Sequence, residues 1–152
     1  MTRNTLVLLA AGGSAALMLG ALGFQYLGEL PPCKLCYWQR YPHVAAIVIG
    51  LIALARPERL WPALGALAAL ATAGVGLFHT GVERGWWEGP TTCSSQPIGG
   101  LSTDQLMDQI MNAPLIRCDE VAWSLAGLSM ASWNALISLV LAGLWIAALR
   151  RS

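Results

Sequence analysis

Residues 36–55 read CYWQRYPHVAAIVIGLIALA, and whether they cross a bilayer decides if the chain has three membrane spans or four. Residues 41–55 carry no charge but number only 15. A helix needs about 20 predominantly apolar residues to cross roughly 30 Å of hydrocarbon. Extending the run back to Cys36 gives 20 residues and places Cys36 and Arg40 inside one end of the helix. The sequence therefore predicts a span over 36–55 with two chemically active side chains at membrane depth.

The flanking runs support that reading. Residues 6–24 form an uncharged stretch of 19, about 28 Å long as a helix. Arg3 precedes it, as in a signal peptide, but the run exceeds the usual 7–15 apolar residues and no clear A-x-A cleavage site follows. Arg56, Pro57, Glu58 and Arg59 make a tight turn, residues 60–82 a third span and residues 125–149 a fourth. The chain has 152 residues, 56% hydrophobic and 11% charged. A soluble domain carries roughly 25% charged residues, so this surface is too poor in charge for water. The expected fold is an all-α membrane protein, a four transmembrane helix bundle in a single domain over 1–152. A net charge of +1 suggests neither nucleic acid nor an acidic partner, while short charge clusters between long apolar runs point to membrane lipid.

Basic residues set the orientation. Arg3, Arg56, Arg59, Arg150 and Arg151 fall on one side, and Lys34, Arg40, Arg84 and Arg117 on the other. The first set sits at the span ends, which predicts that both termini are cytoplasmic. Residues 25–35 and 83–124 are then external loops that hold all four cysteines. In a bacterium that side of the inner membrane is the periplasm, where disulfides persist. The second loop is too long for a plain connector. Ser102 and Gln105 form a capping-box pattern with Asp104 in the first turn, and Leu106, Met107, Ile110 and Met111 recur at helical spacing until Pro114. A short amphipathic helix is expected, lying on the outer leaflet or packed on the protein itself.

Cys33-Lys34-Leu35-Cys36 is a C-x-x-C motif at a predicted helix N-terminus, where the macrodipole favours thiolate over thiol. Arg40 lies four residues beyond Cys36, one turn deeper on the same face. Its charge favours a Cys36 thiolate and negative charge on a bound oxidant, and an arginine at that depth needs a function or a partner. A static disulfide and half a zinc site are the alternatives. Zinc takes four well-placed ligands, and the spacing of Cys93 and Cys118 is unlike a second knuckle, so no metal site is expected. Tyr37 stands where haem attachment needs histidine. Cys93 and Cys118 bracket the amphipathic segment. From spacing alone a structural staple is the simpler reading, and exchange with the C-x-x-C pair is the alternative. The stretch 87–99, rich in Gly, Pro and Ser, would present Cys93 to a partner. His79 lies near the outer end of the third span, as a functional or an interfacial histidine. Trp86, Trp87, Trp123 and Trp133 flank the external boundary as an aromatic belt would.

Together these residues resemble the disulfide bond formation protein B (DsbB) family over essentially the whole chain. The matching features are Phe24-Gln25, Pro32-Cys33-x-Leu35-Cys36, Arg40, His79-Thr80, Cys93, Cys118, Trp123, Gly127-Leu128, Met130 and Trp133. The resemblance implies a quinone reductase that reoxidises a periplasmic thioredoxin-like dithiol oxidase of the DsbA type. In it the reduced partner attacks the Cys93–Cys118 disulfide at Cys93, Cys118 attacks Cys33, and Cys36 passes electrons to a quinone. That quinone (ubiquinone or menaquinone) would be held near Arg40 and His79 with Met130 close to the ring. Ala131 stands where the family usually has proline, and Gln39 where glutamate is common. Two rivals are weighed against this. A reductase of the vitamin K epoxide type carries its C-x-x-C on a late helix, not the second. A small structural membrane protein would keep two static external disulfides.

Overall fold

The computed structural model describes residues 1–93, 100, 102–111 and 116–152. Among the described residues the regular elements are helices, apart from one two-stranded hairpin. The elements are α1 (Arg3–Tyr26), α2 (Lys34–Ala55), α3 (Leu60–Glu83), α4 (Thr103–Met111), β1 (Ser124–Leu125), β2 (Leu128–Ser129) and α5 (Met130–Leu149). Among the long helices, α1 packs on α2 and α5, and α3 packs on the same two. Helices α1, α3 and α5 are long and apolar enough to cross a membrane; α2 falls outside that set. Its first half explains why, since it carries Lys34, Gln39, Arg40 and His43.

Small residues let the helices approach. A side chain at Gly50 would collide with Ala11, and one at Gly65 with the indole of Trp145. Trp145 is fully buried among Leu6, Val7, Ala10, Ala53, Ala69 and Leu141. This small-against-large packing is how helices associate where hydrophobic exclusion from water cannot drive them together. Outward positions such as Leu19, Leu51, Leu67 and Val140 are exposed apolar side chains, the pattern of a surface facing lipid rather than water.

At one end, Arg3 donates to the carbonyls of Ala53 (2.9 Å) and Arg56 (3.1 Å) and to Ser152 Oγ (2.9 Å). It thus caps the C-terminus of α2, where a cation opposes the negative end of the dipole. It also gathers both chain termini and the α2–α3 turn at the same end. Arg3 and the Arg56 backbone, assigned to one side on sequence grounds, are thus close in space.

One boundary differs from expectation. The run expected to be helical from residue 125 starts as a hairpin, with Ser124 opposite Ser129 and Leu125 opposite Leu128. Ala126 (φ 52°) and Gly127 (φ 76°) both take left-handed conformations, as a tight turn between twisted strands requires. Ser129 then caps α5 by accepting from the Ser132 N–H at 3.2 Å. The expected loop helix forms as α4. Ser102 and Gln105 make the reciprocal capping bonds, 3.0 Å from Ser102 N–H to Gln105 Oε1 and 3.3 Å from Gln105 N–H to Ser102 Oγ. Met107, Ile110 and Met111 are exposed. Pro114, expected to end the helix, lies outside the described residues.

Candidate active site

The site is built on the N-terminus of α2. Cys33 is the N-cap, and its Sγ accepts from the Cys36 N–H at 3.3 Å. That bond satisfies one of the otherwise orphaned first-turn donors. The two thiols are free and lie 2.8 Å apart. Cys33 is buried and Cys36 partly exposed. The hydrogen bond with Cys36 and burial together hold the Cys33 thiol protonated well above the ordinary thiol range.

Cys93 and Cys118 form a disulfide, and the Cys118 N–H donates to the Cys93 carbonyl at 2.5 Å. Both are buried and join Cys33, Leu35 and Val82 in one cluster, with Cys36 packed against it. Lys34 Nζ donates to Thr92 Oγ1 at 2.9 Å, fastening this part of the loop to the start of α2. The fold therefore brings all four cysteines into one place. Cys93 is only 2% exposed, so it is covered rather than presented, unlike the sequence expectation; residues 94–99 of that stretch lie outside the described residues.

His79 joins the two cysteine pairs. Its Nε2 is 3.7 Å from Cys33 Sγ and 3.1 Å from the Cys118 carbonyl, and its Nδ1 is 2.8 Å from Gln39 Nε2. Gln39 Nε2 also faces the Leu35 carbonyl at 3.4 Å, which can only accept. The amide nitrogen is thereby identified, and it donates to Nδ1. The hydrogen of the neutral ring then sits on Nε2, where it points at the Cys118 carbonyl and at Cys33. Glu83 closes this corner, with Oε1 3.8 Å from His79 Nε2.

Cys33 Sγ, Cys36 Sγ and His79 Nε2 lie within 4.8 Å of one another, a spacing that a metal ion could use. The Gln39 bond argues against that use, because it leaves no lone pair on Nε2. Cys93 and Cys118 are tied to each other and supply no thiolate.

Arg40 is held from behind. It donates to Gln25 Oε1 at 2.7 Å and to the Ala21 carbonyl at 3.5 Å, and its guanidinium lies 5.2 Å from the Tyr37 ring centre. Gln25 and Tyr37 are the partners that a deep arginine requires. Beside them opens a cavity of about 550 Å³, lined mainly by apolar groups and by Cys36, Arg40, His79 and Met130. Every residue assigned to ligand binding from the sequence thus borders one space. Sequence reasoning missed His43, Thr72 and Asn134, and treated Gln39 only as a departure. These four form a polar chain across α2, α3 and α5, buried except at the half-buried Asn134. The one available signal was a histidine seven residues past Cys36, on the same helical face, within an otherwise apolar run.

A helical protein of membrane-type composition, with a free dithiol packed against a disulfide beside an apolar cavity, defines a narrow class. The family described as "Disulfide bond formation protein DsbB" matches residues 3–148. The chain is 33% identical to a "Disulfide bond formation protein B" of Shewanella sp. (strain MR-4), covering 83% of this chain and 75% of that one. It is 32% identical to one of Herminiimonas arsenicoxydans over 93% of this chain and 92% of the other. It is 33% identical to one of Verminephrobacter eiseniae (strain EF01-2) over 98% and 86%. No solved structure matches. The chain belongs to the DsbB family.

Proposed function

We propose that the protein is a membrane thiol oxidoreductase that reoxidises a soluble DsbA-type dithiol and passes the electrons to a quinone. The observation that carries this reading is the packing of both cysteine pairs in one cluster, of which Cys33 and Cys36 line the Arg40 cavity. On this reading the chain is one domain with four membrane crossings, α2 included, in a bacterial inner membrane. Both termini are cytoplasmic, and the loop bearing α4 is periplasmic. The polar half of α2 can cross because its side chains find partners on neighbouring helices. The exposed apolar face of α4 suits the outer leaflet of the bilayer.

The thiol chemistry balances as two exchanges. A partner thiolate attacks Cys93 Sγ, the Cys93–Cys118 bond breaks, and the partner's second thiol resolves the mixed disulfide. The partner leaves oxidised. Cys93 and Cys118 then reduce a Cys33–Cys36 disulfide in the same way, with attack of Cys118 on Cys33 and departure of Cys36. The free Cys33–Cys36 dithiol beside an intact Cys93–Cys118 disulfide is the arrangement from which electrons leave the chain.

The cavity residues fit a quinone head group. The volume lies within the roughly 300–1,000 Å³ of small-molecule sites. Arg40 on its wall carries N–H donors held in place by Gln25, and the carbonyl oxygens of a quinone can only accept. A quinone bound there would supply an acceptor for two electrons and two protons, so that the dithiol returns to disulfide. Arg40 would hold an oxygen and stabilise the charge developing on it, and Met130 would pack on the ring. His79 keeps its Nε2–H toward Cys33 and the Cys118 carbonyl, orienting the thiol.

The full burial of the Cys93–Cys118 disulfide favours a second reading, a protein with static disulfides. Anaerobic mixing of the purified protein with reduced DsbA-type partner and quinone separates the two. The relay predicts one quinol per partner oxidised. Partner oxidation without quinol, or no partner oxidation at all, overturns it.

A further inference from the structure

When the Cys33–Cys36 bond forms, the dithiol gives up two electrons and two protons, and a quinone takes up two of each. The wall of the cavity limits which side chain can carry the protons. His79 cannot take one, because Nδ1 accepts from Gln39 and Nε2 holds the ring hydrogen. Arg40 offers donors only. His43 Nε2 is bonded to Asn134, and its Nδ1 is closed even to a water-sized probe. Glu120 is exposed and paired with Arg117 at 3.0 Å. Among the described residues of the wall, the ionisable side chain that remains is Glu83.

Glu83 is the last residue of α3, just past the span read over 60–82. It follows His79 by one turn, and its Oε1 lies 3.8 Å from His79 Nε2. That nitrogen is 3.7 Å from Cys33 Sγ. Glu83 and Cys36 also interact electrostatically, so the carboxyl stands near both thiols. Its side chain is only 6% exposed. Unlike His43 Nδ1, neither of its oxygens is among the buried side-chain atoms sealed without a partner. Burial raises its proton affinity above the ordinary carboxylate range, against Ser129 of β2 and Arg84, which favour the charge. Arg84 is exposed, and a neutral His79 supplies no counter-charge.

We propose that Glu83 is the proton-transfer residue of the site, carrying protons from the Cys33–Cys36 dithiol to the bound quinone. The inference rests on the quinone reading above. The neutral carboxyl gives its proton to a quinone oxygen as the electron pair arrives there. The carboxylate so formed takes the proton of the Cys33 thiol as the Cys33–Cys36 bond closes. The Cys36 proton follows the same route. Both thiol protons end on the quinol, and Glu83 returns to its starting state.

One test needs no turnover. Infrared spectra of the full-length reduced protein in detergent, free of quinone and carrying ¹³C-labelled glutamate, should show a protonated glutamate carboxyl at neutral pH. Glu29, Glu58, Glu88 and Glu120 are exposed to water, so the band belongs to Glu83, and Glu83→Gln should remove it. In the second test, single-turnover quinol formation from the reduced protein and a short-chain quinone should slow about a hundredfold in Glu83→Gln and recover in part in Glu83→Asp. The wild-type rate should fall as rising pH strips the Glu83 proton, and Glu83→Gln should lose that fall. A step limited by thiolate alone would instead rise with pH. If neither variant folds, the wild-type spectrum and pH profile decide. A wild-type protein without a protonated glutamate, or a Glu83→Gln rate equal to wild type, overturns the Glu83 assignment and leaves the quinone reading standing. No quinol from the wild-type protein overturns the quinone reading and this inference with it.

Discussion

Arg40 and the two free cysteines carry the predictions that belong to single residues. Gln25, the Ala21 carbonyl and Tyr37 fix the guanidinium, so the side chain is organised before any ligand arrives. Arg40→Ala should raise the KM for quinone at least tenfold, while stoichiometric exchange with the soluble partner, measured without quinone, stays within about twofold. Arg40→Lys should recover part of the loss, since charge returns without the planar fork. Equal damage to exchange would make Arg40 a structural arginine. The cysteines differ in proton affinity and exposure. Cys33 is buried and kept protonated by Cys36 and by desolvation. A raised pKa means that the unreactive thiol persists as pH climbs through the usual thiol range. Iodoacetamide at pH 7–8 should therefore label Cys36 first, with Cys33 following only at higher pH. Peptide mass spectrometry would read the order, and first labelling at Cys33 would reverse the assignment.

Among elements, the hairpin before α5 and helix α2 show where sequence reading succeeds and stops. The C-x-x-C, Arg40 and His79 were legible because each is a chemically distinct side chain at an interpretable spacing. The capping box of α4 was legible because it is local. The hairpin was not, since Leu125 and Leu128 continue the apolar run of α5 and only Ala126-Gly127 break it. Gln39, His43, Thr72 and Asn134 stayed unread because their meaning lies between helices, and no periodicity marks a contact from α2 to α5. The hairpin yields its own prediction. Ala126 sits at φ 52°, which costs an L-residue with a Cβ about 1 kcal/mol. Ala126→Asn should raise the melting temperature by a few degrees, because asparagine tolerates that conformation. Gly127→Val, at φ 76°, should lower it by more. Thermal unfolding in detergent would check both, and a stable Gly127→Val protein would show that the turn is not needed.

For the molecule as a whole, the membrane reading turns on α2. It is less apolar than the other long helices, yet it packs on both α1 and α3, and Gln39, Arg40 and His43 each make a hydrogen bond to a neighbouring helix. A reporter fused after Ser152 should be active only as a cytoplasmic fusion, and one inserted at Gly100 only as a periplasmic one. A periplasmic C-terminus would overturn the assigned orientation. The ring of helix contacts also has a covalent corollary. Arg3 and Ser152 share a hydrogen bond, so the backbone is nearly a closed circuit with a single break. A short linker from Ser152 to Met1, with new ends opened between Pro57 and Glu58, would keep the direction in which each helix crosses the membrane. Such a circular permutant should insert with the same handedness and still oxidise its partner. Chain order would then be free to vary in this architecture, because the contacts around the ring, and not the order of the helices along the backbone, define it.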